Sequence, residues 1–564
     1  MPSSSISTLV VAGSVITLSI AACGSSGRNA FENGPPPVDA GDAGNVGPLG
    51  EGDAERPPGE TRDPSTCAEA ASSKTYVGCD YWPTVTPNAV WSVFDFAVVV
   101  ANTGADEADV TVTGPLGTNE QLAVPAGALR KIALPWVAEL KGADADDCSD
   151  SNAVYTSVIA NQGAYHLVSS RPVIVYQFNA LEYRGEGGAT SGAPKDWSTC
   201  PGTAVACTKG SEPRHLGCFS FSNDASLLLP STAMTNTYRV VGHNGSTAPA
   251  IAGGADVVPA ILSITATQPN TQVDVLLSPT AKVLASSGGQ PIAETNGGGT
   301  LTLTLENAGD VAELVTPNGE KFDFSGSLVR SNKPVQVLAS IPCITIPTGM
   351  SACDHVEETV LPAETLGKRY IVAPPTGPVG TAVQHQVRFY GNEDGTTLTY
   401  LPYKPAKCPD TLAAGQVADC ELVGSAFDVT GNHEFAVATY LLGALAYNSD
   451  RGDPSQTVHA SVEQFRTKYV FLAPNDYPVL WADVVALEGS AIELDGAPID
   501  AIWWKIGEGP YGVHRLDLTK SGKDGAHVLT ANKPVGVQVI GFGDHTSFQY
   551  PAGLNLDLIA PPPK

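Results

Sequence analysis

Residues 331–337 read Ser-Asn-Lys-Pro-Val-Gln-Val, and this stretch recurs along the chain. Close copies begin at Ser170 and Asn532, and a degenerate copy begins at Asn432. Proline has no N–H to donate to a β-ladder, so it should open a strand or lie at a sheet edge, with the following Val-x-Val directed into a core. The stretch therefore predicts the same strand in four repeated units.

A tyrosine precedes each copy, at a spacing that comes in two sizes. Its local context is similar each time, as in Lys368-Arg369-Tyr370-Ile371-Val372. The four tyrosines stand 96, 96, 64 and 65 residues before the proline position, and they are Tyr76, Tyr238, Tyr370 and Tyr469. Two long units therefore precede two short ones.

The sequence between these landmarks has the period of β-strands. Residues 300–305 alternate Thr and Leu, and residues 386–390 read Gln-Val-Arg-Phe-Tyr ahead of a turn at 392–395. Helical periodicity is nearly absent, and 58 Gly and 44 Pro punctuate the chain. Units of roughly 90 to 130 residues with about six strands have the size of a β-sandwich. We therefore predict an all-β fold of tandem β-sandwich-like repeat units.

The first 22 residues predict a lipoprotein signal peptide. The apolar run from Leu9 to Ala22 is too short to span a bilayer, which takes about 20 residues, but it suits the apolar core of a signal peptide. Ile20-Ala21-Ala22-Cys23 resembles the lipobox of bacterial lipoproteins, in which the cysteine becomes the lipidated N-terminus. No Lys or Arg precedes the run, which departs from that pattern. An ordinary signal peptide cut near Ala22 is the alternative.

Composition and the landmarks together divide the rest of the chain. Residues 23–66 are rich in Gly, Pro and acidic residues and poor in aromatic residues, so we predict a disordered linker there. The β-sandwich units then follow as unit 1 at 67–225, unit 2 at 226–360, unit 3 at 361–460 and unit 4 at 461–553. A C-terminal tail takes up 554–564.

The net charge limits the partners. Lys and Arg total 31 against 58 Asp and Glu, which gives a formal net charge of −27. Phosphate backbones and anionic membrane surfaces repel such a chain, so we exclude nucleic acid as a partner. We expect contact with a membrane through the lipid anchor only.

The 11 cysteines favour an oxidising compartment outside the cytoplasm. Ten remain without Cys23, and this even number predicts five structural disulfides. Three pairs are close in sequence, namely Cys67/Cys79, Cys343/Cys353 and Cys408/Cys420. The other four cysteines have several pairings open to them, one of which is Cys148–Cys218 with Cys200–Cys207. The sequence lacks the tight C-x₂₋₄-C pairs of a metal site.

Several motifs follow one another in order over residues 226–400. The stretch at 331–337 is followed by an Ile-Pro-Cys-Ile-Thr-Ile-Pro run at 341–347, by Cys-Asp-His-Val-Glu-Glu at 353–358, and by Leu-Gly-Lys-Arg-Tyr at 366–370. In this order the motifs resemble the IgGFc-binding-protein N-terminal family. The resemblance implies an extracellular, β-rich, non-catalytic binding module. It does not imply that immunoglobulin is bound, and no binding residues are carried over from it.

Motifs that carry chemistry are scarce. The sequence lacks G-x-S-x-G, H-E-x-x-H and a Walker loop, so we predict no catalytic, cofactor-binding or metal-binding residues. His355 and Glu357 are residue types that can bind a metal ion, but we favour the interpretation that this stretch is a disulfide-anchored linker between units 2 and 3. The acidic run from Asp144 to Asp150 is a candidate for Ca²⁺, with a solvated loop as the favoured interpretation.

Paired aromatic residues are the remaining binding candidates. Trp503-Trp504, Trp481 and Tyr81-Trp82 have side chains of the kind that stack on sugars. Aromatic residues in strands more often lie in a core, and that is the interpretation we favour for them.

These features together predict an exported lipoprotein of the bacterial cell envelope, either on the outer surface or facing the periplasm. We expect it to be tethered by its lipid and to bind or adhere to an extracellular protein or glycan without catalysis. Two alternatives stay open: an enzyme that acts on extracellular polysaccharide, and a structural component of the envelope.

The lipobox-like residues give a direct test. We expect the mature chain to begin at Cys23 with a blocked, lipidated N-terminus, because the preceding apolar run suits export and cleavage. Mass spectrometry of the mature N-terminal peptide measures this. A free α-amine on Cys23 would rule lipidation out.

Overall fold

The structure is a computed structural model that describes residues 63–144, 155–185, 218–249, 255–286, 290–350, 353–475, 477–519 and 525–563. Residues 57–564 form one compact unit. Two short α-helices occur within the described ranges, α1 (Cys67–Ser73) and α2 (Ala138–Lys141), and strands are the predominant secondary structure there. The predicted all-β fold class is confirmed.

Two series of strands occupy the first half of the fold. Within the range of unit 1 lie β1 (Gly78–Tyr81), β2 (Phe96–Ala101), β3 (Ala108–Thr113), β4 (Asn119–Val124), β5 (Leu129–Leu134), β6 (Val158–Ala160), β7 (His166–Asn179) and, across its boundary, β8 (Asp224–Leu227). Unit 2 contains β9 (Thr237–Arg239), β10 (Ser246–Pro249), β11 (Ala255–Val258), β12 (Ile261–Ala266), β13 (Thr271–Leu276), β14 (Lys282–Val283), β15 (Thr295–Asn296), β16 (Thr300–Leu305), β17 (Val311–Val315), β18 (Leu328–Ser331), β19 (Val335–Ile344) and β20 (Asp354–Thr359).

The second half repeats this pattern with shorter series. Unit 3 contains β21 (Arg369–Val372), β22 (His385–Gly391), β23 (Thr396–Leu401), β24 (Thr411–Leu412), β25 (Val417–Val423), β26 (Phe427–Gly431), β27 (Phe435–Tyr440) and β28 (Gln456–Val458). Unit 4 contains β29 (Arg466–Leu472), β30 (Val479–Leu487), β31 (Ile492–Leu494), β32 (Ala497–Pro498), β33 (Trp503–Lys505), β34 (Tyr511–Asp517), β35 (Ala526–Gly543) and β36 (Thr546–Pro551).

Each series builds two antiparallel sheets with the same strand order. One sheet starts at the strand that carries a landmark tyrosine or its structural equivalent, and we call it the tyrosine sheet: β1-β7-β3-β4, β9-β18-β13-β16, β21-β26-β23-β24 and β29-β35-β31-β32. The other ends on the last strand of the series, and we call it the central sheet: β8-β7-β2-β5, β20-β19-β12-β17, β28-β27-β22-β25 and β36-β35-β30-β34. The unit boundaries stay predictions, and β6 joins the central sheet of unit 2 through β17.

The hydrophobic core of each series lies between its two sheets. In β16 every Leu is buried and every Thr is exposed, as the alternating sequence predicts. In unit 3, Tyr370 and Val429 of the tyrosine sheet share one buried cluster with Val387 and Val437 of the central sheet. The alternation of apolar residues therefore positions the sheets face to face.

The recurring proline marks the place where the chain crosses between the two sheets. Pro334 separates β18 in the tyrosine sheet from β19 in the central sheet, so it does precede a strand as predicted. Around Pro172 and Pro534 the strand is continuous, but its first half pairs in one sheet and its second half in the other. Because proline has no N–H, it leaves no unpaired donor at this crossing.

The landmark tyrosine is bonded directly to this crossing. The hydroxyl groups of Tyr238 and Tyr370 donate to the carbonyl oxygens of Val335 and Phe435, both at 2.5 Å. Tyr469 donates to Val535 in the same way. The repeated Tyr-to-Pro spacing in the sequence thus reflects a hydrogen bond in the structure. The tyrosine hydroxyl bonds to the carbonyl of the residue after the proline position.

Unit 1 uses a different tyrosine from the one that its sequence landmark indicates. Tyr81 donates its hydroxyl to the carbonyl of Val173 at 2.6 Å. Tyr76 instead lies under the guanidinium group of Arg466, 4.9 Å from its ring centre, and joins unit 1 to unit 4. The sequence spacing therefore predicts the hydrogen bond between a tyrosine and the sheet crossing, but it selects the wrong tyrosine in unit 1.

The last strands of the four series pack against one another in a closed ring. Each of β8, β20, β28 and β36 contacts the one before and the one after it, and β36 contacts β8. All four strands are buried along their whole length. We call this arrangement the central ring.

A C-terminal strap, residues 554–563, fastens all four series together. Its backbone N–H groups donate to the carbonyl oxygens of Gln464 in unit 4, Lys74 in unit 1 and Glu364 in unit 3. Arg330 of unit 2 donates to the carbonyl of Pro563 at 3.0 Å. The predicted tail thus makes hydrogen bonds to all four units.

The tyrosine bond predicts a loss of stability on removal of one oxygen. We expect Tyr370→Phe to lower the free energy of unfolding by about 1 to 2 kcal/mol, because the buried carbonyl of Phe435 loses its donor. Urea unfolding of the full chain measures it. Tyr403→Phe is the matched control, since Tyr403 is 59% exposed; equal stability of the two variants would contradict the assignment.

The strap predicts an asymmetry between two neighbouring leucines. Leu556 is fully buried, whereas Leu558 is 58% exposed. We expect Leu556→Ala to cost about 2 to 5 kcal/mol and Leu558→Ala to cost about 0.5 kcal/mol or less. Thermal melting of both variants checks this, and a similar shift for both would mean that the strap does not pack as described.

Candidate functional site

Strand β20 carries His355 and Glu357, which the sequence singled out. It pairs with β19 in the central sheet of unit 2, and all of its residues are buried. The interpretation of this stretch as a linker is wrong. The Cys343–Cys353 disulfide that suggested an anchored linker is present, but the central ring supplies polar partners that only the packed structure brings near.

Glu357 is the centre of a fully buried polar network. Its Oε2 accepts hydrogen bonds from Thr86 Oγ1 at 2.7 Å, from Asn179 Nδ2 at 3.0 Å and from Gln177 Nε2 at 3.1 Å. His355 Nε2 lies 3.3 Å from Thr86 Oγ1 and 3.9 Å from Glu357 Oε2. A hydroxyl, an imidazole and a carboxylate thus meet, as in hydrolytic sites. Because Thr86, His355 and Glu357 are all 0% exposed, no substrate reaches them in this structure.

Other carboxyl groups in the ring bond the series to one another. Asp224 Oδ2 of unit 1 accepts from the backbone N–H of Glu357 in unit 2 at 3.1 Å and from that of Gln456 in unit 3 at 3.3 Å. Glu358 accepts from the N–H of Val458 at 3.3 Å. Burial raises the pKa of both Asp224 and Glu358 well above its ordinary value. The ring therefore organises the fold and offers no open site.

A small cleft of about 30 Å³ lies at the contact of units 3 and 4. Phe465 and Val485 form part of its apolar wall, and Asp483 and His459 supply polar groups. Arg515 and Thr376 hold the Asp483 carboxylate, with Arg515 Nη1 at 3.1 Å. Burial lowers the pKa of His459 to about 4, so its imidazole is neutral at neutral pH. The polar groups of the cleft are thus a carboxylate that is already bonded and a neutral imidazole.

Two short segments place large apolar side chains in solvent. Leu401 and Tyr403 are 47% and 59% exposed, and Ile502 and Trp504 are 68% and 57% exposed. The loop after the second segment contacts the first, since a Cβ added to Gly507 would lie 2.6 Å from Pro402 Cδ. We call residues 401–403 and 502–504 the aromatic surface. Exposed apolar patches of this kind mark interaction sites.

The aromatic surface has rigid supports on both sides. The loop after β23 is held by the Cys408–Cys420 disulfide and by Tyr400, whose hydroxyl donates to the carbonyl of Pro409 at 2.6 Å. Strand β33 pairs with β34, and Trp503 Nε1 donates to the carbonyl of Ala486 at 3.2 Å. Rigid aromatic groups cost little conformational entropy when they bind.

The aromatic candidates from the sequence divide accordingly. Trp504 is exposed and Trp503 is half-buried. Tyr81 and Trp82 are core residues, and the Trp82 ring stacks on His166 with centroids 4.1 Å apart. Trp481 is half-buried against Gly380. Sequence reasoning missed the 401–403 segment; its signal was a pair of apolar residues around a proline just after a strand.

Three of the predicted disulfides are present. They are Cys67–Cys79, Cys343–Cys353 and Cys408–Cys420. Cys218 is also disulfide-bonded. Cys23, Cys148, Cys200 and Cys207 lie outside the described residues, so lipidation and the remaining pairings stay predictions.

The Ca²⁺ candidate stays a prediction as well. Asp144 binds Lys141 Nζ at 2.7 Å and Ser92, whereas residues 145–150 lie outside the described residues. In the ranges that the structure covers, no three His, Cys, Asp or Glu side chains gather as metal ligands would. None of the helices described there combines the length and apolar character needed to cross a bilayer.

Comparison with known families gives a match over more than half of the chain. A family model described as IgGFc binding protein matches residues 224–541. This range contains units 2 and 3, most of unit 4 and the whole aromatic surface. No curated protein matches the chain.

Solved structures give only distant similarity. A tetra-tandem repeat in the extending region of a large adhesion protein is 12% identical, with 84% of this chain and 98% of that chain covered and a TM-score of 0.08. An anti-sigma factor domain-containing protein is 10% identical over 58% and 97%, with a TM-score of 0.10. A GH78 family rhamnosidase of Bacillus sp. GL1 is 9% identical over 85% and 55%, with a TM-score of 0.11. These scores are too low to support an argument about fold or function.

Proposed function

Because this chain belongs to the IgGFc binding protein family, we propose that it is a non-catalytic module that binds a partner outside the cell. The family match over residues 224–541 is the observation that carries the proposal. It covers the segments from which the aromatic surface is built. The family name states what its namesake binds, and we do not extend immunoglobulin to this chain.

The absence of catalysis is part of the proposal. The group of side chains that most resembles a hydrolytic site, Thr86, His355 and Glu357, is sealed in the central ring. In the cleft between units 3 and 4, the Asp483 carboxylate is already bonded by Thr376 and Arg515. A carboxylate held in this way is not poised to act as a nucleophile or a base.

We also propose that the module is tethered to the cell envelope. Cys23 would carry the lipid, and residues 23–66 would connect it to the folded part that starts near α1. The Gly, Pro and acidic composition of that connection suits an extended spacer. An extracellular protein is the partner class that we favour, and a glycan is the alternative.

The aromatic surface is where we expect the partner to bind. Trp and Tyr are the residues that most often dominate binding energy in protein interfaces. We expect Trp504→Ala and Tyr403→Ala, each in the full chain, to weaken capture of extracellular material by about tenfold or more. Leu276→Ala is the matched control, because Leu276 is 45% exposed on a tyrosine sheet away from this surface.

Several outcomes would decide against this function. Unchanged capture by both aromatic variants would move the binding site elsewhere. Release of reducing ends from a polysaccharide, abolished by one Asp or Glu substitution, would show an enzyme instead. An envelope defect on deletion, with no ligand captured by the full chain, would favour a structural role.

A further inference from the structure

One point in the central ring joins all four units. Asp354 of unit 2 lies beside Asn223 of unit 1, Asp453 of unit 3 and the Thr546-Ser547 pair of unit 4. We call this set the four-unit junction. Asn223, Asp354, Asp453, Thr546 and Ser547 are at most 1% exposed. A charge on any of these side chains is therefore shielded from solvent.

The two carboxyl groups of the junction have opposite surroundings. Asp354 Oδ1 accepts from the N–H groups of Asn223 at 2.9 Å and His355 at 2.8 Å. Its Oδ2 accepts from Thr546 Oγ1 at 2.8 Å and from the N–H of Ser547 at 3.2 Å. By contrast, neither carboxyl oxygen of Asp453 has a hydrogen-bond partner in the described part of the chain.

This contrast decides which of the two groups carries the charge. Four donors stabilise a carboxylate at Asp354, whereas none of the described residues donates to the side chain of Asp453. The two groups interact and therefore share their protons as a pair. Burial raises the pKa of both carboxyl groups well above the ordinary value, and the hydrogen bonds to Asp354 counteract this rise for Asp354 alone. Of the two, Asp354 is therefore the group that ionises first, and Asp453 keeps its proton to higher pH.

The groups around Asp453 leave its charge uncompensated. Its side chain faces Gly443 and Met350, where a Cβ added to Gly443 would lie 3.3 Å from Asp453 Oδ1. Asp354 and Tyr447 interact with it electrostatically, and neither is a cation. Arg451 of the same loop pairs with Asp544 at 3.7 Å, and the side chains of both are nearly half exposed.

The loop that carries Asp453 is a contact between units 3 and 4. The N–H of Gly452 donates to the carbonyl of Gly543 at 2.8 Å, and the N–H of His545 donates to the carbonyl of Asp450 at 3.0 Å. Ser547 Oγ donates to the carbonyl of Asp453. A second negative charge beside Asp354 would act directly on this contact.

We propose that Asp453 is held as a neutral acid at the four-unit junction, and that its ionisation at high pH loosens the contact of 450–455 with 543–547. The strength of this contact between units 3 and 4, which we call the joint, therefore depends on pH. In the unfolded chain the same carboxyl ionises near pH 4. The stability it contributes is complete below that pH and is lost as the pH rises, by about tenfold in the unfolding equilibrium constant per pH unit.

The test compares variants of the full chain between pH 5 and pH 9. We expect the urea midpoint of the unaltered chain to fall with pH, and Asp453→Asn to flatten this fall and to be the more stable chain at pH 8. Asp500→Asn is the matched control, since Asp500 is an exposed carboxylate outside this contact, and it should keep the original pH profile. An unchanged profile in Asp453→Asn would overturn the proposal.

A second measurement needs no variant and covers the case in which Asp453→Asn does not fold. Hydrogen exchange of the unaltered chain, corrected for intrinsic rates, should show protection at 450–455 and 543–547 falling by more than about tenfold between pH 6 and pH 9. Residues 300–305 of β16 serve as the internal reference. If protection at the junction falls no more than in β16, Asp453 does not control the joint.

Discussion

The hydrogen bond from a buried tyrosine hydroxyl to the carbonyl of the residue that follows the recurring proline position is the constraint on which the fold depends. At this point the chain leaves one sheet of a sandwich and enters the other. Backbone groups at such a crossing lose ladder partners, and a buried unpaired carbonyl costs free energy. Where proline is present it removes the donor that would be left over, and the tyrosine hydroxyl supplies the missing donor to the acceptor. The recurring tyrosine and the recurring proline therefore act together to satisfy the backbone at this crossing.

The central ring adds a second level of order that sandwiches alone do not have. Its strands are buried but rich in Asp, Glu, Thr and Ser, so their side chains bond to the backbone of the neighbouring unit. Buried polar groups of this kind hold partners in one register, because a shift would leave them unsatisfied. The repeated units therefore behave as parts of one body, consistent with the single compact unit from residue 57 onward.

This organisation limits where a binding function can reside. The acidic and imidazole groups that look most reactive in the sequence, His355 and Glu357, are used to build the ring. Four of the exposed apolar side chains, Leu401, Tyr403, Ile502 and Trp504, lie at the edge of unit 4 and on a disulfide-braced loop of unit 3. Both supports are rigid, so the aromatic surface is presented without the cost of ordering it. The binding role that we propose uses this exposed surface and none of the buried polar groups.

The sequence by itself determined the all-β class, the fourfold repeat and three disulfides, because strand alternation, the Tyr and Pro landmarks and short cysteine spacings are local signals. It could not show that Tyr81, and not Tyr76, makes the hydrogen bond at the crossing of unit 1, since both lie close to the same strand. Tyr76 packs instead against Arg466, which is distant in sequence. Nor could it place 354–359 inside the fold or join 401–403 to 502–504. Those outcomes depend on contacts between residues that are distant in sequence, and only the tertiary structure decides them.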